Sequence, residues 1–294
     1  MTTRCREGSP MTQQAGWDIV TDVGITALAV AAARAIESHR ANPLVSDPCA
    51  ELFVAAARPQ PAMPTRQADA AESWRDMADY MGVRSRYFDE YFAAEKTGQA
   101  VVLAAGLDVR GHRLDWPPGA VVYELDVPKV LQFKQNVLAD NGVAARAEIR
   151  NVAVDLRDDW PAALMGAGFD RTAPSSWLAE GLLPFLPNDA VERLFTLVDE
   201  LAAPGSRFAV EHIDIDIDEV ATMRPISDMA ADFGMNVADM WPRGKTFQPV
   251  AWLADRGWRV TSTPVVAAAE GYGRPLRDSA TGLRHTVLIT ATKG

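Results

Sequence analysis

The chain has 294 residues, with 29 Lys and Arg against 39 Asp and Glu, a formal net charge of −10. Hydrophobic residues make up 48% and charged residues 23%, enough apolar material for a large core, which excludes disorder as the dominant state. An acid excess without a basic block argues against a nucleic-acid partner, whose phosphates are met by Lys and Arg, and against an anionic membrane surface. Only Cys5 and Cys49 occur, with no CxxC spacing, so neither a disulfide scaffold nor a thiolate zinc site is expected, and a reducing cytoplasm fits best. No window reaches the ~18 consecutive apolar residues of a membrane span.

Taken in order, residues 1–17 are polar and carry Gly8, Ser9 and Pro10, the composition of a flexible tail. Apolar positions then recur at helical spacing from Thr21 to about His39, with Asp22 suited to capping. Asn42-Pro43 and Asp47-Pro48 break that helix, a second short helix runs to Ala57, and the Pro-rich piece Arg58 to Pro64 is a link. Arg66 to about Lys96 again reads as helix, with Trp74, Met77, Met81, Tyr87, Phe88, Tyr91 and Phe92 as packing residues. Residues 18–98 thus form a helical N-terminal extension.

After Thr97-Gly98 strands and helices alternate. Val101 to Ala104 is a short apolar run of the buried-strand type; Val121 to Leu125, Ala147 to Val154, Ser176 to Ala179 and Arg207 to Ile213 read as further strands, and Trp258 to Thr263 and Thr286 to Ala291 complete the set. A helix opens at Pro128, the first-turn position that tolerates proline, and runs to about Asp140. Residues 99–294 therefore read as an α/β domain around a doubly wound, mostly parallel sheet. Such sheets bind ligands beyond the carboxyl ends of their strands, where the strand order switches. Those ends are Gly106, Glu124 to Asp126, Asp155, Glu180 and Glu211 to His212, and four of the five carry an acid.

The first turn, Ala104-Ala105-Gly106-Leu107-Asp108, is poor in glycine and holds an acid, so it disfavours the pyrophosphate of a dinucleotide. S-adenosyl-L-methionine has adenine and ribose, no phosphate, an ammonium and a sulfonium, and suits both this turn and the acids around it. In that reading Asp126, twenty residues after Gly106, accepts the ribose hydroxyls; the competing reading makes it a helix cap before Pro128.

The segments AAGLDVRGHRL (104–114), VYELDVPKVLQFK (122–134), VDLRDDW (154–160) and WLAEGLLPFLP (177–187) resemble the leucine carboxyl methyltransferase family, specifically its bacterial branch of S-adenosyl-L-methionine-dependent methyltransferases. TALAVAAARAIES (26–38), SDPCAELFV (46–54) and VRSRYFDEYF (83–92) extend the likeness over most of the chain. The resemblance implies a class I, Rossmann-like methyltransferase fold with N-terminal helices and a helical lid insert, here at about 214–249. It implies that Asp126 binds the ribose, that Asp155 and Leu156 border the adenine, that Glu180 lies near the methionine end and that Arg84 holds the cofactor carboxylate. Ala104 and Gly106 then supply backbone beside the cofactor, Ala104 standing where relatives begin a Gly-Ala-Gly turn. Eukaryotic members carry a lysine in the N-terminal helix where this chain has Thr26, so a protein C-terminus is not the expected acceptor. Bacterial relatives include polyketide-tailoring O-methyltransferases, which implies a small-molecule metabolite.

Other readings of the same residues stay open: Glu180 as a solvated strand-end acid, and Arg84 as a surface ion pair beside Arg86 and Asp89. His212 heads the alternation Glu211-His212-Ile213-Asp214-Ile215-Asp216 and, at the lip of the cleft, is the candidate general base. Met223, Met229, Phe233, Met235, Met240 and Trp241 line either a lid or an ordinary helix core. Glu219 and Pro225 occupy the glycine and closing-Glu positions of a calcium loop, Asp239 replaces the first glycine of a P-loop ending at Gly244-Lys245-Thr246, and the histidines at 39, 112, 212 and 285 lack ligand spacing; no metal is expected. A non-catalytic binding protein on the same fold, or a nicotinamide oxidoreductase, are the alternatives to the enzyme.

Overall fold

A computed structural model describes residues 23–213, 247–277 and 283–294. The tail, Asp22, most of the lid insert and the acidic alternation beyond Ile213 lie outside the described residues. Three helices come first, α1 (Val23–Ser38), α2 (Ala50–Ala57) and α3 (Glu72–Ala94). The α/β unit follows as β1 (Gln99–Leu103), α4 (Arg110–Arg113), β2 (Val121–Asp126), α5 (Pro128–Asp140), β3 (Glu148–Ala153), α6 (Trp160–Gly166), β4 (Ser176–Ala179), α7 (Asn188–Leu201) and β5 (Arg207–Ile213). It closes with α8 (Pro249–Asp255), β6 (Trp258–Pro264), α9 (Val265–Gly271) and β7 (Thr286–Lys293).

The seven strands form one sheet in the order β3-β2-β1-β4-β5-β7-β6. Strands β1 to β5 are parallel, while β7 inserts antiparallel between β5 and β6. This is the class I methyltransferase fold, and its order switches between β1 and β4.

Both faces are covered, and strand alternation sorts the side chains between them. On one face Ala100, Val102, Val122, Leu178 and Ala209 pack with Leu28, Phe53, Ala78 and Phe88 of the N-terminal helices. On the other, Val101, Leu103, Tyr123, Trp177, Phe208 and Val210 pack with Trp160, Leu164, Leu194, Phe195 and Val198. Helix α7 shows why a helix forms there: Val191, Leu194, Phe195, Val198 and Leu201 are its buried residues, a single stripe at three- and four-residue spacing. Each such side chain contributes about 1.5–3 kcal/mol on burial.

Helix α3 differs, because it buries polar groups as well. Asp76, Asp79, Arg84 and Ser85 are buried along with its aromatic residues. Isolated buried charges are strongly disfavoured, so such groups are held by partners: Asp76 by Arg277, Asp79 by Arg40 and Arg274, and Arg84 by Glu180 and Glu211 at the strand ends.

Candidate functional site

Register places the relevant residues side by side. Leu103 is level with Leu125 and with Ala179, and Ala179 with Val210, so Ala104, Asp126, Glu180 and Glu211 leave adjacent strands at one rim. Asp126 is paired with Ala153, which brings Asp155 to the same rim two residues later.

The β1 turn is unusual in its backbone. Ala104 and Gly106 both have positive φ, 50° and 49°; glycine adopts that region freely and alanine does not. The turn is fastened by its neighbour: the Ala105 amide donates to Leu125 O at 2.9 Å, and the Gly106 amide donates to Asp126 Oδ2 at 2.6 Å. The second oxygen, Oδ1, accepts from the Val127 amide at 2.7 Å. Asp126 therefore joins β1 to β2, and the helix-cap reading does not describe it, since its bonds go to its own successor and across to the turn. Burial raises its pKa, an effect the two amides oppose.

Arg84 is buried, only 5% exposed, so the surface-pair reading fails. Its Nε lies 2.8 Å from Glu180 Oε1, and its Nη1 donates to Glu211 at 2.9 and 3.1 Å. The centre of the Tyr80 ring lies 5.7 Å from its guanidinium carbon; among the described residues its hydrogen bonds run through Nη1, Nε meets Glu180 as an ion pair, and Nη2 carries none. Glu180 is likewise no solvated acid: Oε2 accepts from Arg110 Nη1 at 2.6 Å. Burial opposes its charge, but Arg110 and Arg84 outweigh burial and hold the pKa below the ordinary range. Arg110 continues to Asp108 and to Asp89 at 2.8 Å, and Asp89 to Arg113 at 2.5 and 2.7 Å. Burial likewise disfavours the Asp108 carboxylate, yet Arg110, with help from Lys134, brings it down to about 2.

Asp155 is more open. Its carboxylate accepts from exposed Arg157 at 2.5 and 2.9 Å, and that bond lowers its pKa. Leu156 is half-buried and packs on the α6 and α7 side of the sheet.

His212 is not at the lip of a cleft. It is buried at 7% exposure inside β5, paired with Val287, and alternation directs it to the face of Val210, away from Glu211 and Arg84. The residues that sequence reasoning passed over are Glu211, Tyr80 and Arg110. Glu211 stood at a predicted strand end, and Tyr80 lies one helical turn before Arg84 on α3. Among the described residues no cluster of three or more His, Cys, Asp or Glu could hold a metal ion.

The rim thus brings together a carboxylate on β2 bound to two backbone amides, an open acid beyond β3 and a buried arginine paired with two glutamates near the β4 end. Comparison with known proteins places the chain in a family. The family model of leucine carboxyl methyltransferase matches residues 27–199. A protein of Saccharopolyspora erythraea is 49% identical over 90% of this chain and 93% of its own length. One of Mycobacteroides abscessus is 47% identical over 91% of each chain. Both bear the name "Putative S-adenosyl-L-methionine-dependent methyltransferase". The crystal structure of a DUF574-family protein from Streptomyces avermitilis shares the fold at 18% identity, with a TM-score of 0.52 over 90% of this chain and 97% of that one. Family model and relatives extend across most of the sequence, and the chain belongs to the leucine carboxyl methyltransferase family.

Proposed function

We propose that the chain is an S-adenosyl-L-methionine-dependent methyltransferase that methylates a carboxylate oxygen of a small-molecule metabolite. The observation that carries the cofactor assignment is the division of labour along the rim. Each oxygen of Asp126 spends one acceptor site on a backbone amide and keeps another for a ribose hydroxyl. Asp155 offers an acceptor to the adenine amino group, with Leu156 against the ring. Arg84 has Nη2 for the methionine carboxylate, and Glu180 lies beside it for the ammonium.

Charge supports the same ligand. Arg84, Arg110 and Arg113 stand against Asp89, Asp108, Glu180 and Glu211 in one connected ladder, three positive groups against four negative. Asp126 adds a further carboxylate whose partners among the described residues are backbone amides, so the rim is net negative and favours a cationic ligand. Bound S-adenosyl-L-methionine supplies a methyl group activated by its sulfonium, the carbon–sulfur electrons returning to sulfur as a new carbon–oxygen bond forms. The chain's residues bind and orient; alignment of the acceptor and exclusion of water are the main contributions left to the protein.

The acceptor class follows from what the site residues can do with a proton. Among the described residues, Asp108 and Glu180 are held below the ordinary carboxylate range and His212 faces the other side of the sheet, so none of these three is poised as a base at this rim. An acceptor that arrives already deprotonated needs none, and a carboxylate is such an acceptor. The test is transfer of labelled methyl to matched pairs of metabolites bearing a carboxylate or only a hydroxyl. Methyl-ester product with a rate flat between about pH 6 and 8 is expected. Transfer confined to hydroxyl acceptors, with a rate rising through that range, would overturn the carboxylate assignment; calorimetry showing no binding of S-adenosyl-L-methionine would overturn the enzyme.

A further inference from the structure

Glu211 is among the most heavily bonded side chains of the rim. It is 3% exposed, and its two oxygens accept from three residues, two on α3 and one in the turn after β4. Oε2 takes the Gly181 amide, just past β4, at 2.6 Å, and Arg84 Nη1 at 2.9 Å; Oε1 takes the same Nη1 at 3.1 Å and the Tyr80 hydroxyl. Tyr80 is in turn 3.2 Å from Thr286 Oγ1 on β7. Gly181 has φ of 64°, and a Cβ there would stand 3.6 Å from Arg84 Nη1, so the backbone passes close to the guanidinium. Glu211 and Glu180 thus grip Arg84 from two sides through Nη1 and Nε, and the nitrogen they leave is Nη2.

We infer that Glu211 is a positioning residue for cofactor binding: with Tyr80 behind it, it fixes the Arg84 guanidinium so that Nη2 is presented to the amino-acid end of the cofactor. The inference rests on the reading of Arg84 as the carboxylate-binding group. A buried ion pair is often no more than a structural fastening, and the two roles differ in what they do to ligands. A fastening affects every ligand of the site alike, whereas a positioned guanidinium is felt only by ligands that have a carboxylate.

The experiment measures affinities of S-adenosyl-L-homocysteine, which has the amino-acid end, and 5′-methylthioadenosine, which lacks it, for the intact chain and for Glu211→Gln. Glutamine keeps an acceptor for Gly181 or Tyr80 and loses the charge that orients Arg84. The expected result is about tenfold weaker S-adenosyl-L-homocysteine binding, the value of one charge-assisted hydrogen bond, with 5′-methylthioadenosine changed less than twofold. Equal weakening of both ligands, no change in either, or tighter S-adenosyl-L-homocysteine binding overturns the inference; tightening would make Glu211 a competitor of the ligand carboxylate. Tyr80→Phe covers the case in which the first variant fails to fold. It removes the hydroxyl behind Glu211 without changing charge, and a roughly threefold loss confined to S-adenosyl-L-homocysteine is expected, an unchanged ratio being fatal. If the unaltered chain binds the two ligands equally, Arg84 does not hold a carboxylate and both readings fall. A preference in the unaltered chain that both variants retain removes Glu211 alone.

Discussion

Replacing Asp126 with alanine tests the ribose assignment most directly, because the side chain serves fold and ligand through separate bonds. Two acceptor sites hold the Gly106 and Val127 amides at 2.6 and 2.7 Å, and under the proposed assignment two take the ribose hydroxyls. Hydrogen bonds to a charged group contribute about 1.5–3 kcal/mol each, so losing two weakens S-adenosyl-L-methionine by about 3–6 kcal/mol, between roughly a hundredfold and ten-thousandfold in Kd. The two amides lose their acceptors as well, at about 1–3 kcal/mol for each that water cannot reach. Calorimetric titration beside a thermal melt separates the losses. Asp126→Asn sharpens the comparison: its amide group turns an N–H toward one backbone N–H, so it keeps bulk but forfeits a bond on each side. A Kd within threefold of the unaltered chain for Asp126→Ala would refute the ribose role, and an unchanged melting temperature would refute the fastening of β1 to β2.

Two further outcomes follow from the same region. Ala104 has φ of 50°, a conformation costing a non-glycine residue about 1 kcal/mol or more, so Ala104→Gly is expected to raise the melting temperature by about 2 °C; a lower value in scanning calorimetry counts against the strain. Asp108 has its pKa lowered from 3.8 to about 2. A depressed carboxylate contributes stability that is present above its unfolded pKa and lost as pH falls through the folded value, here about 2 kcal/mol over the window from roughly pH 5 to 2. Urea unfolding of Asp108→Asn across that window is expected to show a shallower acid limb, and a limb as steep as that of the parent refutes the pairing.

The central strands β1, β2 and β4 were legible as short apolar runs ended by turns, the polar edge strands β3 and β6 by their place in the strand–helix alternation, and the acids that end or follow β2, β3 and β4 mark the rim. Helix α3 was legible but begins at Glu72 rather than Arg66, since the piece before it closes instead as turns such as Asp69 N to Arg66 O. The antiparallel β7 was not legible as such, because a strand's period of two is the same in either direction. Nor was the positive φ of Ala104, since nothing in its side chain announces it. Arg84 came from a family likeness, and its own surroundings on α3, with Arg86 and Asp89 nearby, pointed to a surface pair. What decided otherwise is Glu211, 127 residues away, and separations of that size leave no periodicity to read.

The ladder from Glu211 through Arg84, Glu180 and Arg110 to Asp89 and Arg113 has a consequence for how the protein opens. Arg84 and Asp89 come from α3 and the other members from α4 and the strand ends, so lifting α3 by a turn would leave arginines and carboxylates unmatched in a region with little water. Local unfolding there is therefore all-or-none: α3 and the strand ends form one cooperative unit, and hydrogen exchange of the α3 amides should report the stability of the binding rim itself.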